Sequence, residues 1–201
     1  VATTEHSTPA ATEDHHVSII TVRKTAMWVF LGSEFMFFGA MISTFLLYAN
    51  ETGEGPTAGD LFDIPFTSAS SFILLMSSLT MVLAHNAFDR KDMRQARIWL
   101  LATALLGSSF LAGQIFEFTE FYDKGLALST SPFASSFYML TGFHGAHVAV
   151  GILLLMGMFF LSLGGRLRAD QGLNTELVAL YWHFVDIIWI IIFTVVYLMQ
   201  V

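Results

Sequence analysis

Hydrophobic positions in this chain fall into five long stretches, without the strict alternation of a half-buried strand or the narrow stripe of a surface helix. The stretches run Ala26–Ala49, Ser68–Phe88, Ile98–Phe118, Pro132–Leu163 and Leu177–Met199. Each can cross about 30 Å of hydrocarbon at about 1.5 Å of rise per residue. The pattern predicts an all-α polytopic membrane protein, a bundle of five transmembrane helices. The fourth stretch exceeds what a span needs, so it is expected to tilt or protrude. The longest connection, "NETGEGPTAGDLFDIPFT" (50–67), is rich in Gly, Pro and acids. Residues 1–22 are polar and lack the basic and apolar regions of a signal peptide. They read as a flexible tail, leaving 23–201 as the membrane domain.

Composition agrees with this reading. Hydrophobic residues make up 55% of the chain and charged residues 12%, against about 25% charged in soluble domains. With no Cys, the chain has no disulfide, thiolate metal site or catalytic thiol. A net charge of −7 argues against nucleic acid as a partner. His6, His15 and His16 in the tail could chelate a metal, but a histidine-bearing tail is more often inert. Lys and Arg decide the orientation. Arg23, Lys24, Arg90, Lys91, Arg94, Arg97, Arg166 and Arg168 fall on one side, and only Lys124 on the other. The positive-inside rule then expects a cytoplasmic N-terminus and an external C-terminus. Trp28 and Trp99 lie near cytoplasmic helix ends, where an aromatic belt is expected.

Several polar residues interrupt the spans: Glu34, His85, Gln114, Glu117, His144, His147, His183 and Asp186. Such groups usually face the bundle and pair. Gln114/Glu117, His144/His147 and His183/Asp186 are each three apart, so each pair shares a helical face. Counting from the expected helix ends puts Glu34 about 12 Å and Asp186 roughly 14 Å from the cytoplasmic side. Two layers are therefore expected. Glu34, His183 and Asp186 form the middle one. Gln114, Glu117, His144 and His147 form the outer one, with Glu117 pairing with His144 or His147. Four roles fit these residues: hydrogen bonds between helices, proton handling, a carboxylate–histidine metal centre and a bis-His haem. Gly142, Gly145, Ala146 and Ala149 leave room for close helix contact, which favours the first.

Five segments carry a resemblance: "SEFMFFGA" (33–40), "AHNAFDRKDMRQA" (84–96), "GQIFEF" (113–118), "TGFHGAHVAVG" (141–151) and "YWHFVDIIW" (181–189). In order and spacing, from Trp28 to Met199, they resemble subunit III of the haem–copper oxidases, in its five-helix form. The resemblance implies a non-catalytic subunit without a cofactor of its own, haem and copper lying in partner subunits. It implies packing on subunit I in a complex with subunit II, binding of phospholipid, and support of proton uptake and sustained turnover. Cytochrome c would act on the complex, not on this chain. The implied place is the bacterial cell membrane.

By the same resemblance, Glu34 matches the family's buried carboxylate, and Gln114, Glu117, His144, His147, His183 and Asp186 its helix-bridging polar groups. Many members have seven helices, the first two set off by a lipid-filled cleft; this chain shows only the last five. "GPTAGDLFDIPF" (55–66) and "FTVVYLM" (193–199) also resemble the quinol oxidases, the alternative reading. Glu34, where the quinol type would have Asp, and "TGFHG" (141–145) point to the cytochrome c type. A free-standing di-metal membrane enzyme is the alternative from another class.

Overall fold

The computed structural model describes residues 10–53, 62–164 and 172–199, with the backbone alone at 10–20 and 172. The expectations for residues 1–9, for 54–61 of the first loop, for Arg166 and Arg168, and for the side chains of His15 and His16 lie outside these. The described residues are helical, without strands, and five helices are long and apolar enough to cross a membrane.

Helix α1 spans Ala10–Tyr48, starting inside the stretch expected as a tail; its candidate crossing portion is Thr21–Tyr48. Helices α2 (Ile64–Asp89), α3 (Met93–Asp123) and α4 (Pro132–Leu163) follow, and α4 keeps the ends its hydropathy predicts. Helix α5 (Gly172–Ile192) continues into a π-helical segment, Phe193–Leu198.

Local chemistry fixes the helix ends. The Asp63 side chain accepts from the Phe66 N–H, Asp92 from Gln95 and Ser131 from Ala134, each at 3.1 Å. Each thereby satisfies one of the orphan donors at a helix start. Helices α2 and α3 end in the same way. Lys91 and Gly125 take positive φ (60° and 91°), and the next residues, Asp92 and Leu126, donate back to Ala87 and Phe121, each at 2.9 Å. This left-handed closure turns the chain within a few residues. Short connections then make α2/α3 and α3/α4 antiparallel neighbours.

Helix α5 closes the bundle by packing on α2 and α4, while α1 lies on the outside against α4 and α5. The core is aromatic. Phe110 meets Trp189 edge-on at 4.7 Å, and Phe62 packs on Tyr197 at 4.6 Å. Outward positions such as Leu47, Leu153, Met36 and Val29 are exposed, as expected where lipid is the solvent.

Candidate functional site: polar groups within the bundle

The polar residues within the spans do not converge on one centre. They divide among four helix interfaces, α1/α4, α3/α4, α2/α3 and α2/α5.

At the α1/α4 interface, Glu34 Oε2 lies 3.1 Å from His147 Nε2. The other ring nitrogen, Nδ1–H, donates to the Phe143 carbonyl at 2.7 Å. With Nδ1 so committed, Nε2 is the ring nitrogen that faces the Glu34 carboxyl. Tyr181 of α5 adds a third strand to this knot by donating to the His147 carbonyl at 3.0 Å. The pair lies at the wall of an open groove of about 630 Å³ between α1, α4 and α5, otherwise lined by apolar side chains such as Met27, Phe30 and Leu154. Nearer the helix ends, Lys24 and Glu176 form an ion pair at 2.7 Å, again joining α1 to α5.

At the centre of the bundle, His144 is fully buried and, among the described residues, makes no hydrogen bond. Its ring stacks on Trp189 at 5.0 Å, with Phe38 and Phe110 against it edge-on. Gln114 bridges α3 to α4 by donating to the Thr141 carbonyl at 2.7 Å. Gly145 makes room for it: a Cβ there would come within 2.7 Å of Gln114 Oε1. Gly142, by contrast, faces open space. The small residues of α4 therefore admit side chains rather than forming one uniform helix seam. Glu117 is bonded to the Thr67 hydroxyl of α2, which also lies 3.0 Å from the Asp63 carbonyl.

Three serines hold α5 against α2. Trp189 Nε1–H donates to Ser71 at 2.9 Å, and Trp182 Nε1–H to Ser77 at 3.0 Å. Each serine hydroxyl donates in turn to a carbonyl of its own helix, Thr67 and Leu74 respectively. Ser78 meets His183 Nδ1 at 2.6 Å. Asp186 is buried facing the same Ser78 hydroxyl, which His183 already engages, and neither carboxyl oxygen is hydrogen-bonded among the described residues. His85 lies nearer the end of α2, 3.8 Å from Asp89.

Four expectations are thereby corrected. Glu117 pairs with Thr67, not with His144 or His147, because α2 rather than α4 faces it. Glu34 pairs with His147, which had been assigned to another layer. His147 is the sixteenth of the 32 residues of α4, about 22 Å from its start, and so lies midway along the helix and not in its first half with the outer layer. His183 and Asp186 share a face but make no bond to each other. His144 and His147 also part company, one in the core and the other at a groove, so they do not form a joint ligand pair. Among the described residues, no group of three or more His, Asp or Glu is placed to hold a metal.

The residue count had passed over Thr67, Ser71, Ser77, Ser78, Tyr181, Trp182 and Trp189. A signal was present: Trp182/Trp189 are spaced by seven and Ser71/Ser77 by six, so two indole donors on α5 lie opposite two hydroxyls on the antiparallel α2.

Residues 6–201 match the family described as cytochrome c oxidase subunit III. The chain is 37% identical over 196 residues to cytochrome c oxidase subunit 3 of Bacillus sp. (strain PS3), covering 98% of this chain and 95% of that one. It is 35% identical over 195 residues to quinol oxidase subunit 3 of Bacillus subtilis (strain 168), covering 97% and 96%. Cytochrome c oxidase subunit 3 of Thermostichus vulcanus is 35% identical over 198 residues, covering 98% and 97%.

Proposed function

Because this chain belongs to the cytochrome c oxidase subunit III family, we propose that it is the non-catalytic subunit III of a respiratory haem–copper oxidase, of the type that takes electrons from cytochrome c. It is a multi-pass protein of the bacterial cell membrane and part of a terminal oxidase complex. In this reading it packs on subunit I beside subunit II, binds membrane phospholipid, and sustains proton uptake while the complex reduces oxygen and pumps protons. Haem and copper belong to the partner subunits. The observation that carries the reading is the way polar side chains are used: Glu34, Gln114, Glu117, His147 and His183 each bond to a neighbouring helix rather than gathering around a reacting centre. A tied bundle is what a supporting subunit requires.

The eight-to-one division of Lys and Arg supports a cytoplasmic N-terminus. With no native Cys, single introduced cysteines can test it by labelling from either side of the membrane.

The test of function is purification from the native membrane. Subunits I and II should copurify, subunit II should carry copper, and reduced cytochrome c should drive oxygen uptake. The chain freed of its partners should carry no stoichiometric iron or copper; finding either would overturn the supporting role. The relationship to a quinol oxidase subunit 3 favours a second reading. Oxygen uptake driven by quinol but not by cytochrome c, with a copper-free subunit II, would establish that one instead.

A further inference from the structure

At the basic end of the bundle a second, smaller groove runs between α3 and α4. Its volume is about 290 Å³, and it is lined by Arg94, Arg97, Ile98, Leu101, Phe159 and Leu163. The four α3 residues follow helical spacing down one face, so the two arginines stand at the helix start and the apolar side chains lie deeper toward the hydrocarbon. Arg97 is held in place: Nε donates to Ser162 Oγ at 2.8 Å and Nη2 to the Ser162 carbonyl at 2.6 Å. A guanidinium has five N–H donors, so this anchorage leaves others free. Arg94 is exposed, and among the described residues no carboxylate forms an ion pair with either arginine. The acids nearby in sequence are otherwise engaged. Asp89 stands by His85, and Asp92 caps α3.

We propose that this groove binds one anionic phospholipid, its phosphate on Arg94 and Arg97 and an acyl chain along Ile98, Leu101, Phe159 and Leu163. Charge complementarity selects the headgroup: Arg94 and Arg97 line the groove, and Arg90 and Lys91 precede them in sequence at the same end of the helix. A guanidinium fork already fixed on one side suits the oxygens of a phosphodiester. The slot is too small for another helix, about 10 Å across with its side chains, but suits an acyl chain. The inference rests on the membrane topology, not on which oxidase the chain serves. It also rests on the lipid-binding part of the proposed function, and its failure would leave the oxidase assignment, tested by copurification, standing.

The test uses the full chain with the subunits that accompany it, reconstituted in mixed phosphatidylcholine–phosphatidylglycerol bilayers and re-extracted in mild detergent. Mass spectrometry then measures the retained phosphatidylglycerol relative to phosphatidylcholine. The wild type should retain about one equivalent enriched in phosphatidylglycerol. Arg94→Gln should lower that enrichment about tenfold, the worth of one charge-assisted hydrogen bond to the phosphate. Arg90→Gln removes the same charge from the same end but does not line the groove, and should have little effect. Equal losses in the two variants would mean diffuse attraction and would overturn the site, as would no loss in either. Displacement of the lipid by inorganic phosphate would show an anion site without an acyl groove and would also overturn it. So would enrichment that the chain shows alone but loses in the complex, because a partner subunit would then cover the groove.

Discussion

Trp182 is clamped within the bundle, and replacing Gly151 by Ala should expose that. The indole lies between two glycines on different helices. A Cβ at Gly151 of α4 would meet Trp182 Cε3 and Cζ3 at 2.8 Å, and one at Gly107 of α3 would meet Cη2 at 2.5 Å. Carbon atoms pack at about 3.5–4.0 Å, so Gly151→Ala asks the ring to retreat by roughly 1 Å. Retreat is blocked on the far side by the Gly107 backbone and at the indole nitrogen by Ser77. Overpacking of this kind costs about 1–3 kcal/mol. Loss of the Trp182–Ser77 bond adds about 1 kcal/mol. Better helix propensity of Ala returns at most about 1 kcal/mol. The net expectation is a loss of about 1–3 kcal/mol. Gly142→Ala and Gly157→Ala are the controls, since a Cβ at either would meet nothing within 4 Å. Unfolding of the purified chain in mixed micelles, followed by tryptophan fluorescence, measures all three. Gly151→Ala as stable as Gly142→Ala would refute the clamp.

Other changes have comparably definite outcomes. Glu34→Gln should keep α1 docked, because an amide can still donate to His147 Nε2, whereas Glu34→Ala leaves that nitrogen unpartnered and should lower the thermal stability of the chain by about 1–3 kcal/mol; equal stabilities would count against the pair. In assembled oxidase, both Glu34 variants should begin oxygen reduction at the normal rate, with Glu34→Ala losing activity faster over repeated turnovers; an abolished initial rate would place Glu34 in the chemistry. Trp189→Phe should cost about 1–2 kcal/mol through its bond to Ser71 and its stacking on His144, read as a lower midpoint of denaturation. Thr67→Val should destabilise more than Thr44→Val, because Thr67 supports buried Glu117 whereas Thr44 bonds only to its own helix, at the Ala40 carbonyl.

The five crossings were legible because bilayer thickness imposes a length that composition alone reports. The ends of α4 came out as expected because Ser131–Pro132 is a strong helix start and the apolar run stops at Leu163. Pairing was less legible. Spacing tells which residues share a face, but not which neighbour that face meets. Each helix is free to turn about its own axis until the packing of all five is known. Depth was also misread where a long helix was divided into halves instead of counted residue by residue. Glu34 is the fourteenth of 28 residues in Thr21–Tyr48 and His147 is midway along α4, so the two meet although the two expected layers had separated them.

The serines show a different limit. A hydroxyl on a membrane helix can hand its proton to a carbonyl one turn back, as Ser71 does to Thr67 at 2.7 Å, and so costs little wherever it lies. That makes serine an uninformative polar residue in a search for buried charge. The same internal bond leaves the oxygen's lone pairs pointing outward as acceptors, and an indole N–H in hydrocarbon needs such an acceptor. Trp182 and Trp189 are buried at 1% exposure each, which would strand two donors had Ser77 and Ser71 not been opposite them. The informative pattern was therefore a donor spacing on α5 matched by an acceptor spacing on α2. Ionisable residues drew attention because each is expensive in lipid. The bonds that hold α5 in register come from residues whose cost is met within their own helix, so their role is visible only when both helices are read together.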